Sequence, residues 1–143
     1  MNIKPEIEKY GHKLDINISD DVKSFNVDPD HLKQMLLNIL LNAQEASPMG
    51  GLITINTNMG EDGIEINISD SGKGISEEVG EKLFDPFFTT REHGTGLGLS
   101  VTKQLARSNG GDIKWKNRSE GGVVFVISFP REEMNDGLQT SYS

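Results

Sequence analysis

Apolar positions recur along this chain with two different periods, and the switches between them mark its elements. Over 13–19, Leu14, Ile16 and Ile18 fall at every second residue, which predicts a half-buried strand. The period then lengthens to that of a helix, with Leu32, Met35, Leu36, Ile39, Leu40, Ala43 and Ala46 on one stripe. Asp28-Pro29 supplies a cap and a first-turn proline ahead of it. Pro48-Met-Gly-Gly51 ends that helix near Ala46. Period two returns with Ile53 and Ile55 over 52–59 and with Ile64, Ile66 and Ile68 over 64–69, and Gly60-Glu-Asp-Gly63 joins the two runs as a hairpin. Ser76-Glu-Glu opens a short helix, and a second helix spans Leu99 to Ser108 before Asn109-Gly110 stops it. Strands over Asp112–Lys116 and Val123–Phe129 complete the order.

Strand, long helix, hairpin, short helix, irregular span, helix, hairpin is the order of an α+β sandwich. It predicts one mixed, mostly antiparallel sheet of about five strands with helices on one face. A doubly wound parallel sheet fits badly, because short glycine-rich turns and not helices join the paired strands. With 143 residues and 34% hydrophobic content the chain supports a single core, placed at 13–130. Residues 1–12 are expected to be linker, and the polar tail 131–143 to be disordered. The chain has no cysteine, which excludes disulfides and thiolate metal sites. A net charge of -8, with 14 dispersed cations, argues against nucleic acid as a partner. No apolar run approaches the roughly 18 residues of a membrane span, so contact with a membrane is not expected of this chain; a cytoplasmic location is expected, with membrane anchoring of a parent protein left open.

The chemistry concentrates at residues 70–99. Asp70-Ser-Gly-Lys-Gly-Ile75 ends an alternating run, and Gly94-Thr-Gly-Leu-Gly-Leu99 leads into a helix. A carboxylate at a strand end can accept a hydrogen bond from a base, and glycines at a helix start let backbone amides meet phosphate oxygens. The pair therefore predicts a nucleotide site. A Rossmann fingerprint is excluded, because no strand precedes the second glycine run, and no Gly-Lys-Ser/Thr triplet forms a phosphate loop. On the long helix Asn38, Asn42 and Glu45 follow one another by four and three, so they project from one face. An asparagine oxygen suits Mg²⁺, which takes few protein ligands and completes its shell with phosphates and water, and Asn42 is the expected ligand. Asn17, Asn67 and Asn117 begin sequences of glycosylation type, but two lie in predicted strands and nothing points to secretion.

Four segments together resemble the N, first glycine, F and second glycine boxes of sensor histidine kinases, in the family's order. They are Asn38-Ile-Leu-Leu-Asn42-Ala, Asp70-Ser-Gly-Lys-Gly, Phe84-Asp-Pro-Phe87-Phe-Thr-Thr90 and Gly94-Thr-Gly-Leu-Gly98-Leu. The resemblance covers about 16–130. It implies the ATP-binding catalytic domain of a two-component kinase, with the Bergerat α/β sandwich and its mobile ATP lid. The short lid is most similar to those of nitrogen-regulation and sporulation kinases. The implied cofactors are ATP and Mg²⁺. The implied partners are a histidine-bearing dimerisation hairpin, in cis or in trans, and a downstream response regulator.

On that resemblance Asp70 accepts the exocyclic amine of adenine and disfavours guanine, whose carbonyl would face it. Gly72, Gly74 and Ile75 pass the base and ribose. Gly94, Thr95, Gly96, Leu97, Gly98 and Leu99 offer amides to the phosphates. Thr89, Thr90, Arg91 and His93 lie on the span before them, with Arg91 pairing a terminal phosphate and His93 donating a hydrogen bond. Asn38, Asn42 and Arg91 form the expected catalytic set. Lys103 is expected to be solvated, and Phe84, Phe87 and Phe88 to anchor the lid in the core. Asn38 stands where related hydrolytic ATPases carry a general-base glutamate, so fast ATP hydrolysis is not expected. Glu45 stands where many histidine kinases carry a phosphate-binding cation. None of His12, His31 and His93 has an acceptor histidine's context, so the expected state is an excised catalytic domain or a stand-alone phosphodonor. A serine kinase like the anti-sigma factors, or a non-catalytic adenine-nucleotide sensor, are the alternatives of the same site.

Overall fold

The computed structural model describes residues 11–19, 27–61, 63–88 and 98–130, together with Pro5 and Glu8. The sheet consists of β1 (Lys13–Asn17), β2 (Leu52–Gly60), β3 (Gly63–Ser69), β4 (Asp112–Asn117) and β5 (Val123–Phe129), in the spatial order β1-β2-β3-β5-β4. β1 runs parallel to β2 and every other pairing is antiparallel. The expected mixed sheet of five strands is thus observed, and its single parallel pair arises because a long helix joins β1 to β2.

That helix, α1 (Pro29–Ala46), begins where Asp28 accepts hydrogen bonds from the Asp30 and His31 amides, and Ser47 closes it with an extended backbone. The short α2 (Glu77–Gly80) is capped by Ser76, whose hydroxyl accepts from the Val79 amide. The third helix, α3 (Gly98–Ser108), packs on α1. Among the described residues the helix-to-sheet burial is on one face. Ile55, Ile68, Phe125 and Trp115 form one transverse row of that face, and Ile66, Ile127 and Ile113 the next. Met35, Ile39, Leu40 and Ala43 of α1 and Ala106 of α3 close over these rows. Burial of this kind stabilises by roughly 25 cal/mol per Å² of apolar surface. The opposite face carries Asn56, Asn58, Glu65, Asn67, Ser69, Lys114 and Lys116, the polar half of the same alternation. Among the described residues no helix is long and apolar enough to cross a membrane.

Two expectations about burial fail. Leu14 is buried, but Ile16 is 46% exposed and Ile18, beyond the end of β1, is 67% exposed. An edge strand has one neighbour, and here the apolar stripe outruns the described helix layer. Phe84 packs on the core as expected, whereas Phe87 is 74% exposed and sits at φ 69°, a backbone region that bulky residues rarely adopt. Phe87 is therefore not a core anchor.

Candidate functional site

The alternation of β3 ends by turning Asp70 inward, where it is 2% exposed. Three backbone contacts fix it. Its amide donates to the Val123 carbonyl (2.9 Å), and its Oδ1 accepts from the amides of Gly72 (2.9 Å) and Val123 (3.2 Å). Burial pushes the carboxyl above the usual carboxylate range, opposed by those two amides and by the charge of Arg118. With Oδ1 occupied and the rotamer held, Oδ2 is the oxygen left to accept from a ligand, and no donor among the described residues engages it.

The loop after Asp70 lies against the C-terminal end of α1. The Ser71 amide donates to Ser47 Oγ (3.2 Å), and a Cβ on Gly72 would lie 2.5 Å from the Ala46 carbonyl oxygen, so the approach needs glycine. Gly74 turns at φ 94° and leads to Ile75, whose amide and carbonyl both pair with the side chain of Asn117 (2.8 Å each).

Two turns earlier on α1, about 12 Å away at helical rise, Asn38 faces the start of α3. Its Nδ2 donates to the Gly98 carbonyl (3.1 Å) and to Thr102 Oγ1 (3.2 Å), and its Oδ1 accepts from Gln34 (2.9 Å). Asn38 thus clamps the two helices together where α3 begins. Asn42 sits between these ends, half-buried, with its amide in no hydrogen bond among the described residues. Glu45 is exposed on the last turn. The helix α1 is therefore a floor that joins a buried carboxylate at one end to the N-terminus of a helix at the other. Gly98 and Leu99 form that N-terminus, with Leu99 packed partly against the core.

Of the expected site residues, Asn38, Asn42, Glu45, Asp70, Gly72, Gly74, Ile75, Gly98 and Leu99 line this floor and its two ends. Thr89, Thr90, Arg91, His93, Gly94, Thr95, Gly96 and Leu97 lie outside the described residues. Lys103 is not solvated as expected. Its Nζ is 3.3 Å from Asp112 Oδ1 and 4.9 Å from the Phe84 ring centroid, a pairing across from α3 to β4 that no local pattern announces. Asn117, Arg118, Gly122 and Val123, not expected as site residues, hold Asp70 and Ile75 from the β4–β5 turn. The one signal available was a strand-ending asparagine followed by a glycine pair.

The residues 27–133 match the model of the histidine kinase-, DNA gyrase B- and HSP90-like ATPases, and the chain belongs to this family. Within it the resemblance is to sensor kinases. The chain is 41% identical over 119 residues to the sensor histidine kinase ZraS of Salmonella typhi, covering 82% of this chain and 26% of that one. It is 39% identical over 107 residues to sporulation kinase A of Bacillus subtilis, covering 75% and 18%. In structure it is similar to the nucleotide-free catalytic domain of histidine kinase ThkA, with a TM-score of 0.80, 34% identity and coverage of 90% and 85%. The chain thus spans about a quarter or less of the two curated relatives and most of an isolated catalytic domain. Its fold is the Bergerat α/β sandwich of histidine kinase catalytic domains.

Proposed function

We propose that this domain binds Mg²⁺-ATP and donates the γ-phosphoryl group to a histidine on a separate dimerisation hairpin, in two-component signalling. The observation that carries the reading is the state of Asp70: buried, with Oδ1 locked by two amides and Oδ2 engaged by no donor among the described residues, at one end of a floor whose other end is a helix N-terminus. An open carboxylate oxygen accepts the exocyclic amine of adenine, and the helix end attracts phosphate.

The residues divide the work. Asp70 fixes the base, and the segment 72–75 forms the wall beside it. Asn38 sets the position of the α3 end, through which the amides of 98–99 and of the preceding glycine run meet the phosphates. Asn42 fits a magnesium ion, because its half-buried amide oxygen is in no hydrogen bond among the described residues and a single neutral oxygen ligand is what a phosphate-chelated Mg²⁺ needs. Bound there, the ion would neutralise phosphate charge and orient the γ-phosphoryl. In the transfer an imidazole nitrogen of the acceptor attacks the γ-phosphorus, the P–N bond forms, the bond to the β,γ-bridging oxygen breaks, and ADP leaves. Arg91 is assigned to the γ-phosphate, Thr89, Thr90 and His93 to its neighbourhood, and Gly94 to Leu97 to the phosphate wall. The alignment of the acceptor histidine, and a response regulator that takes the phosphoryl group onward, are supplied by partners. On this reading the domain works in the cytoplasm, where ATP is present.

Calorimetry with adenylyl imidodiphosphate and Mg²⁺ tests the binding half; absence of heat, or full binding by Asp70→Ala, refutes it. Radiolabelled ATP then tests transfer. The lone chain is expected to stay unlabelled, and an added acceptor hairpin to take an acid-labile, base-stable label. Acid-stable label on a hydroxyl side chain would instead identify a serine kinase.

A further inference from the structure

The β4–β5 turn grips the loop 70–75 at both of its ends, although 42 residues separate Ile75 from Asn117 and 53 separate Asp70 from Val123. At the first end the Arg118 guanidinium donates to the carbonyl of Asp70 (2.8 Å), while the same residue's amide donates to the Gly122 carbonyl (2.9 Å) and so closes the turn. A Cβ on Gly122 would overlap that Asp70 carbonyl, so the turn backbone is seated directly on it. At the second end Asn117 acts as a length of neighbouring strand. Its Oδ1 accepts from the Ile75 amide and its Nδ2 donates to the Ile75 carbonyl, both at 2.8 Å.

We propose that Arg118 and Asn117 are positioning residues of the nucleotide site: together they set the orientation of Asp70 and the distance of the 72–75 wall from it, and through these the preference for adenine. This rests on the nucleotide reading given above. Neither side chain need touch the ligand. A hydrogen bond to a charged base-recognising group discriminates only if that group cannot turn to suit another base, and the hairpin denies Asp70 that freedom. Arg118 acts in a second way, because its charge favours the ionised acceptor that burial opposes. The acid that pairs with Arg118 opposes this field in part. Glu120 pairs with Arg118 Nη2 at 3.6 Å and lies on the solvent side, and Lys73 on the loop and Glu45 on α1 are exposed.

The experiment uses the whole chain and reads two quantities. In uniformly ¹³C-labelled protein without nucleotide, the Asp70 side-chain carboxyl, assigned by its loss in Asp70→Asn, is followed through an acid titration. Calorimetry then gives the affinities for the imido analogues of ATP and GTP. Arg118→Met is expected to move the Asp70 midpoint upward and to weaken the ATP analogue about tenfold at pH 7, a change of about 1.4 kcal/mol. Arg118→Lys, which keeps the charge but not the planar fork, is expected to leave the midpoint near that of the wild type and to weaken the ATP analogue by a smaller factor than the Met variant. Asn117→Ala should leave the midpoint unmoved and narrow the ratio of ATP to GTP affinity several-fold. A Met variant with wild-type midpoint and affinity overturns the role of Arg118, and an Asn117→Ala variant with the wild-type ratio overturns that of Asn117. Should the Met variant fail to fold, the Lys variant decides by affinity, and wild-type affinity for the ATP analogue there is equally fatal. If the wild type binds neither analogue the nucleotide reading fails, while the titration still reports on the contact between Arg118 and Asp70.

Discussion

The two ends of α1 hold their parts of the site by different means. At the Asp70 end, contacts come from three separate stretches of chain, α1 with Ser47, the loop after β3, and the β4–β5 turn, and most of them are to backbone. At the Asn38 end the first turn of α3 is held through side chains, among them the Asn38 amide and the Thr102 hydroxyl. On the proposed nucleotide reading the first end discriminates, since a buried carboxylate pinned by amides cannot adapt to the wrong base. On the same reading the second has only to present amides to phosphate, whose oxygens tolerate small displacements. Removing parts at the first end should therefore cost more than removing parts at the second.

The largest effect is expected for Asp70→Asn. The amide can keep the two contacts at Oδ1 but presents donor hydrogens in place of Oδ2, facing the donor of adenine, so affinity for the ATP analogue should fall at least about 100-fold, as expected for a lost charged hydrogen bond and a new mismatch. The apo fold should not suffer. Because burial raises the pKa of Asp70, its contribution to folding is fully present below the pKa of the unfolded chain and is lost as pH rises through the folded value. At neutral pH the carboxylate opposes folding, and the thermal midpoint of Asp70→Asn should equal or exceed that of the wild type. Nucleotide binding has the opposite sign, needing the ionised form and weakening as pH falls through the raised pKa. A destabilised Asp70→Asn would show that the pinned carboxylate is structural, and would remove the contrast between the two ends.

Gly72→Ala tests the same end by steric means. The added Cβ would lie 2.5 Å from a helix carbonyl that cannot swing aside, so the loop or the end of α1 must shift. A loss of about 1–3 kcal/mol is expected from denaturant unfolding, with weakened nucleotide binding. Unchanged stability would show that the loop is seated loosely.

These two residues also show what could be read in the sequence. Asp70 and Gly72 belong to a short local pattern at the end of an alternating run, and the element order around them is written in hydrophobic periods, so the sheet, its helix layer and the carboxylate were legible. Asn117 and Arg118 act on residues more than 40 positions away, with no local period or cap to mark them. Lys103 departs from expectation at shorter range, since its partners Asp112 and Phe84 lie outside its own helix. Ile18 and Phe87 failed differently. An apolar residue states a preference for burial, but the edge of a sheet or a left-handed turn can leave it outside.

Between the ends, Asn42→Ala is expected to weaken the Mg²⁺ complex of the ATP analogue about tenfold. Binding of ADP in the presence of a chelator should stay within about twofold of wild type, because that species brings no metal to ligate. Equal losses in both titrations would assign Asn42 to packing instead.

The smallest effect belongs to Asn38→Ala. The substitution removes both donations of Nδ2, yet the Gly98 carbonyl keeps the Thr102 hydroxyl, which donates to it at 2.8 Å, so no buried acceptor is orphaned. Loss of a satisfied hydrogen bond with a surviving partner costs about 1 kcal/mol. The local signature should be clearer than the global one, with faster amide exchange in the first turn of α3 while the amides of β3 and β5 keep their protection. Affinity for the ATP analogue should fall only about two- to fivefold, since phosphate can follow a helix end that moves slightly. A loss as large as that of Asp70→Asn would mean that the α3 terminus is as tightly specified as the base end.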